Sequence, residues 1–104
     1  GELKIDTTST IQANYTEDVI KVLQDSGEMK SKFNTIRQII ADSKVKDFTP
    51  LYRALYDEVD SYASGKVGHT ILNIAEGQYK DSMVVDKEIN VMAMILNILM
   101  TLGK

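Results

Sequence analysis

Apolar residues recur at helical spacing along most of this chain, and the breaks between them fall at turn-forming residues. From about Thr16 to Gln24, Val19, Ile20 and Leu23 share one face, with Asn14 or Thr16 placed as N-cap and Ser26-Gly27 as the stop. Asn14 and Glu17 have capping-box spacing. A second helix is predicted from about Glu28 to Ser43, where Met29, Phe33, Ile36, Ile39 and Ile40 form the stripe. The charged break Lys44-Val45-Lys46-Asp47 separates it from a third, opened by Thr49-Pro50. Proline's missing N–H costs nothing at a first helical position, and the threonine hydroxyl is expected to cap. Leu51, Leu55, Val59 and Tyr62 give this helix its stripe, widened by Tyr52 and Tyr56, before Ser64-Gly65 closes it.

A fourth helix spans about Lys66 to Lys80, with Val67, Ile71, Ile74, Ala75 and Tyr79 expected inward. Gly68 and Gly77 each cost about 1 kcal/mol there relative to alanine, which points to close packing or frayed ends. The fifth begins at Asp86, whose carboxylate can cap, and runs to about Leu102. Ahead of all five, Leu3-Lys4-Ile5-Asp6 alternates and Thr7-Thr8-Ser9-Thr10 is polar. Residues 1–14 are read as a linker or edge element and 15–104 as one helical domain. The fold class is all-α, a compact bundle of about five helices.

The last helix departs from the pattern of the others. Of the 14 residues from Ile89 to Leu102, 11 are apolar and none is charged, and its polar residues Asn90, Asn97 and Thr101 share one narrow face. A surface helix normally carries an apolar stripe of about 100°, not a single polar sliver. Fourteen residues fall short of the roughly 20 needed to span a bilayer. Either the other four helices surround this one or part of it meets another chain; because a domain this small can rarely enclose a whole helix, the second is the expectation. Met92, Met94, Ile95, Leu96, Leu99 and Met100 are the candidate interface residues. On a 3.6-residue period Leu96 and Leu99 point away from Met94, so one group is expected in the core and the other against a neighbour.

Composition narrows the picture further. At 104 residues with 43% hydrophobic and 26% charged content, the chain has the make-up of one ordinary globular domain. Its net charge of -3 is spread over both signs, which argues against direct nucleic-acid binding through a basic track. It has no cysteine, so disulfides and thiolate metal sites are excluded. Gly1-Glu2-Leu3-Lys4 does not open like a signal peptide, and a glycine in first place is expected of a piece taken from a longer protein.

Candidate chemistry is sparse. His69 is the single histidine, too few for most triads or histidine-rich metal sites. Ser64-Gly65-Lys66 fails as a phosphate-binding loop, because Asp60 and Val67 stand where that loop needs Gly and Ser or Thr. Asp57, Glu58 and Asp60, like Glu17-Asp18, read as solvated helix faces. The tyrosines 15, 52, 56, 62 and 79 lack interleaved Arg or Lys, so packing explains them better than base stacking. No catalytic, cofactor-binding or metal-binding residue is assigned.

Three stretches carry a resemblance. They are Leu51-Tyr52-Arg53-Ala54-Leu55-Tyr56-Asp57-Glu58-Val59, then Thr70-Ile71-Leu72-Asn73-Ile74-Ala75-Glu76-Gly77-Gln78-Tyr79, and the apolar helix from Glu88 to Leu99. Their order, with Ala75-Glu76 preceding Tyr79 ahead of the final helix, resembles the C-terminal domain of clamp-loader AAA+ subunits. Replication factor C small subunits and the large clamp-loader subunit of tailed phages are the nearest in kind. The likeness covers roughly 85 of the 104 residues. It departs at Lys80, where relatives commonly carry arginine, and residues before Tyr15 have no counterpart.

What the resemblance implies is a helical collar, the oligomerisation module of a subunit that loads sliding clamps in DNA replication. Its partners would be other clamp-loader subunits, with homo-oligomers expected and no direct contact to nucleic acid or membrane. ATP and Mg would belong to the parent's ATPase modules, in the cytoplasm or, in a eukaryote, the nucleus. Two other classes stay open: a free-standing helical adaptor that binds a partner helix, and a small helical enzyme or nucleic-acid binder.

Overall fold

A computed structural model describes residues 15–103, all of whose regular structure is helical. The expected linker or edge element at 1–14, and the proposed cap Asn14, lie outside the described residues. Six helices follow in order: α1 (residues 15–24), α2 (Met29–Ser43), α3 (Thr49–Asp57), α4 (Val59–Tyr62), α5 (Val67–Asp81) and α6 (Lys87–Leu102). Tyr15 and Thr16 are already helical, so Thr16 does not cap α1.

The third expected helix is divided. Glu58 leaves helical geometry (φ -102°, ψ 13°) between α3 and α4. Its carbonyl accepts from both the Ser61 amide (2.9 Å) and the Ser61 hydroxyl (2.7 Å), the tight three-residue closure that competes with an α-helical ladder. The stripe survives the break, since Leu51, Leu55, Val59 and Tyr62 are all buried. Tyr56, expected to widen it, is about half exposed.

Local chemistry accounts for the ends. Asp86 caps α6 by accepting from the Ile89 amide at 3.1 Å. Thr49 is the first residue of α3 and not its cap. Phe48 holds the N-cap position without a side-chain bond, and Asp47 before it accepts from the Thr49 amide (3.0 Å) and hydroxyl (2.8 Å). These bonds from Thr49 hold the Asp47 carboxyl below its usual range. Lys44 ends α2 in left-handed geometry (φ 52°), and Gly65, at φ 84°, supplies the turn into α5.

One core joins all six helices. Val19, Ile20 and Leu23 bring in α1, which the Gln24 amide ties to Ser61 of α4 at 2.9 Å. Ile36 and Ile40 anchor α2, with Phe33 and Ile39 partly buried. The α5 face differs from expectation. Ile74 is inward and Val67 and Ile71 are partly so, but Ala75 and Tyr79 point to solvent, while Thr70 and Gly77 are buried. The inward line of α5 is therefore rotated toward its small residues, and they let α6 approach.

Candidate functional site

Helices α5 and α6 form the most extensively packed pair of the bundle, and α6 also rests on α2. Gly77 explains the close approach. A Cβ built there would lie 2.7 Å from Met94 Sδ and 3.1 Å from Met94 Cβ, so no larger residue fits without displacement. Gly68, by contrast, has open space around it.

A polar junction sits beside this contact. Asn90 Nδ2 donates to the Gly77 carbonyl (3.0 Å) and lies 3.5 Å from the Tyr52 hydroxyl. That hydroxyl in turn donates to Asp81 Oδ1 at 3.1 Å. Lys87 completes the group, donating to Asp81 Oδ2 (3.2 Å) and to the Asp81 carbonyl. Burial, reinforced by the Asp81 carboxylate, pushes the Tyr52 phenol well above its ordinary pKa. The Asn90 amide nitrogen, the Tyr52 hydroxyl and the Asp81 carboxylate thus all find partners within the bundle, the mark of a structural network. At the other end of the pair, Asn73 Nδ2 donates to Thr101 Oγ1 (3.1 Å) and Lys66 Nζ to the Thr101 carbonyl (3.3 Å).

The core-facing arc of α6 runs from Asn90 and Met94 through Val91, Ile95 and Ile98 to Leu99 and Met92, all buried. At 100° per residue that arc covers about 200°. Met94 and Leu99 thus both face the core, against the expectation that the two would separate: α6 is held between α5 and α2, so a wide sector is covered. Of the six candidate interface residues, Met92, Met94, Ile95 and Leu99 are occupied by this chain's own core. Leu96 (39% exposed) and Met100 (46%) remain accessible.

Ile89, 68% exposed, and Ala93, also exposed, extend these two into a row of four along α6. Sequence reading passed over both, although steps of four, three and four from Ile89 reach Ala93, Leu96 and Met100. No charged residue interrupts the row. Asn97 borders it on the α5 side, where the seam between the two helices is lined by Asn73, Glu76, Lys80, Asn90 and Asn97. Further apolar side chains are exposed at Leu72, Tyr79, Met83 and Val85.

Other candidate chemistry is dispersed. His69 is exposed on the rim of an open cleft of about 320 Å³ with Lys66, Asn73, Asn97, Met100 and Thr101. Asp57 is paired with Arg53 at 3.1 Å, and the Arg53 guanidinium lies 5.5 Å from the Tyr56 ring centre. Among the described residues, no three His, Cys, Asp or Glu side chains are grouped to hold a metal ion. No described helix is long and apolar enough to cross a membrane. Tyr15, Tyr52 and Tyr62 are packed in the core, while Tyr56 and Tyr79 are not.

These features define a small helical bundle whose last helix leaves an uncharged apolar row in solvent. No protein-family model, curated protein or solved structure matches the chain.

Proposed function

We propose that this chain is the collar domain of a sliding-clamp loader subunit, an oligomerisation module without catalytic activity of its own. The observation that supports it is the α6 row Ile89, Ala93, Leu96 and Met100, apolar, uncharged and accessible in the single chain. The sequence resemblance supplies the identity of the neighbours: other clamp-loader subunits, copies of the same subunit among them. ATP and Mg belong to ATPase modules elsewhere in the parent protein, which also contact DNA and clamp. The protein acts in the cytoplasm, or in the nucleus of a eukaryote.

Magnitudes set the strength of such a contact. Covering the exposed parts of Ile89, Leu96 and Met100 is worth about 1–2 kcal/mol each. Association costs about 4–15 kcal/mol in lost freedom. Only when the rows of two copies cover each other does the gain, about 6–12 kcal/mol, reach the range of that cost and sustain weak pairing, and assembly of a ring draws on the ATPase modules as well. Sequencing the reading frame around this segment tests the parentage. A phosphate-binding loop of the Gly-x-x-x-x-Gly-Lys-Ser/Thr type encoded upstream is expected; a frame without any ATPase module contradicts the reading.

A further inference from the structure

The exposed row of α6 has two properties beyond being apolar: its side chains differ in size, and its ends differ in charge. Ile89, Ala93, Leu96 and Met100 follow at steps of four, three and four, the spacing of a coiled-coil seam. They lie within about 60° of the helix circumference. The one small residue, Ala93, stands beside Leu96 in the middle of the row. Two copies of such a row match in one direction only. Laid antiparallel about a twofold axis between positions 93 and 96, each Ala93 receives the Leu96 of the second copy, and each Ile89 meets a Met100. Laid parallel and in register, the two alanines face each other across a gap while the two leucines collide, which close packing disfavours.

Charge selects the same direction. The row begins beside Asp86 and Glu88, both exposed. It ends beside Lys66, which donates to the Thr101 carbonyl and lines a cleft with Met100. Lys87, the remaining charge at the first end, is turned to Asp81. Antiparallel pairing brings the acidic end of each copy to the Lys66 end of the other and opposes the two helix dipoles. Parallel pairing gathers both acidic ends at one side and both Lys66 side chains at the other.

We propose that the partner of this row is the same row of a second copy of the chain, packed antiparallel about a twofold axis, an inference that rests on the row's being the contact surface of the proposed function and not on clamp-loader parentage. Such a pair is closed, so a third copy finds no free row, and a ring neighbour that uses the row displaces the second copy.

The chain has no cysteine, so introduced thiols report the direction of pairing. I89C and M100C are oxidised mildly at millimolar concentration, each alone and as an equimolar mixture. A disulfide needs Cα atoms within about 7 Å. In the antiparallel pair, position 89 lies opposite position 100 of the second copy, whereas the two positions 89 stand about 16 Å apart along the helix, as do the two positions 100. The mixture is therefore expected to cross-link at least about tenfold faster than either variant alone, with one copy of each in the product. Both positions are exposed, so helical circular dichroism stays native. If I89C cross-links with itself as fast as the mixture does, the antiparallel direction is overturned and the row remains a contact surface. Equal, slow rates in all three samples, with a native chain that sediments as a monomer, overturn the second copy as occupant. A reading frame without an ATPase module would remove the clamp-loader parentage and leave this pairing standing.

Discussion

Helices α2 and α6 are nearly equal in length, 15 and 16 residues, and each buries two isoleucines at a four- or three-residue step: Ile36 and Ile40 in α2, Ile95 and Ile98 in α6. They differ on the outside. The solvent side of α2 carries Lys30, Arg37, Gln38 and Asp42, with Gln38 donating to Asp42 at 2.8 Å. The solvent side of α6 carries Ile89, Ala93, Leu96 and Met100. Water completes the first surface and leaves the second unsatisfied. In α2 amphipathicity states the rotation of the helix. In α6 apolar residues surround most of the helix, and the narrow polar line Asn90, Asn97 and Thr101 marks the side that meets α5.

The largest effect should come from the shared inner faces. Ile36→Ala and Ile95→Ala are each expected to cost about 2–5 kcal/mol, because both side chains are fully buried. Leu96→Ala should stay within about 0.5 kcal/mol in the single chain. Urea unfolding checks all three, and a cheap Ile95→Ala would mean that the inner face of α6 is not core. Next comes the α5 contact. Gly77→Ala should lose about 1–3 kcal/mol through overpacking on Met94, despite alanine's helical advantage. Gly68→Ala, with nothing near its added carbon, should gain up to about 1 kcal/mol. Equal effects of the two glycine variants in thermal melts would show that α5 and α6 do not approach closely at Gly77.

Smaller effects follow at the ends and at high pH. Asp86→Ala removes the α6 cap and should cost about 1 kcal/mol. Tyr15 has a buried hydroxyl without a partner, and burial together with Asp47 pushes its phenol up to about 12. A phenol whose folded pKa is raised gives stability that is present below the unfolded value of about 10 and lost as pH rises through about 12. Tyr15→Phe should therefore change little at neutral pH and retain melting temperature better than the native chain between those values. Identical pH profiles would contradict the burial of that hydroxyl.

Much of this architecture was legible in the sequence, and the misses share a cause. The stripes of α2 and α3, apart from the exposed Met29 and Tyr56, and the Asp86 cap could be read because large apolar or capping residues announce them. The face of α5 could not, since Thr70 and Gly77 are buried there without large apolar side chains, and Gly77 is where Met94 packs closely. Ala75 and Tyr79 stand outside despite their apolar character. A hydroxyl before proline is a strong local signal for a cap, yet Thr49 is the first residue of α3. Phe48 holds the cap position, and the carboxylate of Asp47 accepts from the Thr49 amide and hydroxyl. At the candidate site, periodicity was enough to single out Leu96 and Met100. It did not reveal that α6 sits between α5 and α2, which is why Met92, Met94, Ile95 and Leu99 all turn inward. The polar line Asn90–Asn97–Thr101 was visible from the start, but its meaning as the seam with α5 needed the partners Gly77 and Asn73.

Sedimentation of the chain over a range from micromolar to millimolar concentration tests most directly whether the outer row of α6 is a contact surface. The native chain should show an average mass that rises with concentration. L96E combined with M100E should abolish the rise while leaving helical circular dichroism intact, and R37E on the outer face of α2 should leave the rise unchanged. A native chain that stays monomeric to the highest concentration, or a double variant that associates as the native chain does, would contradict the account.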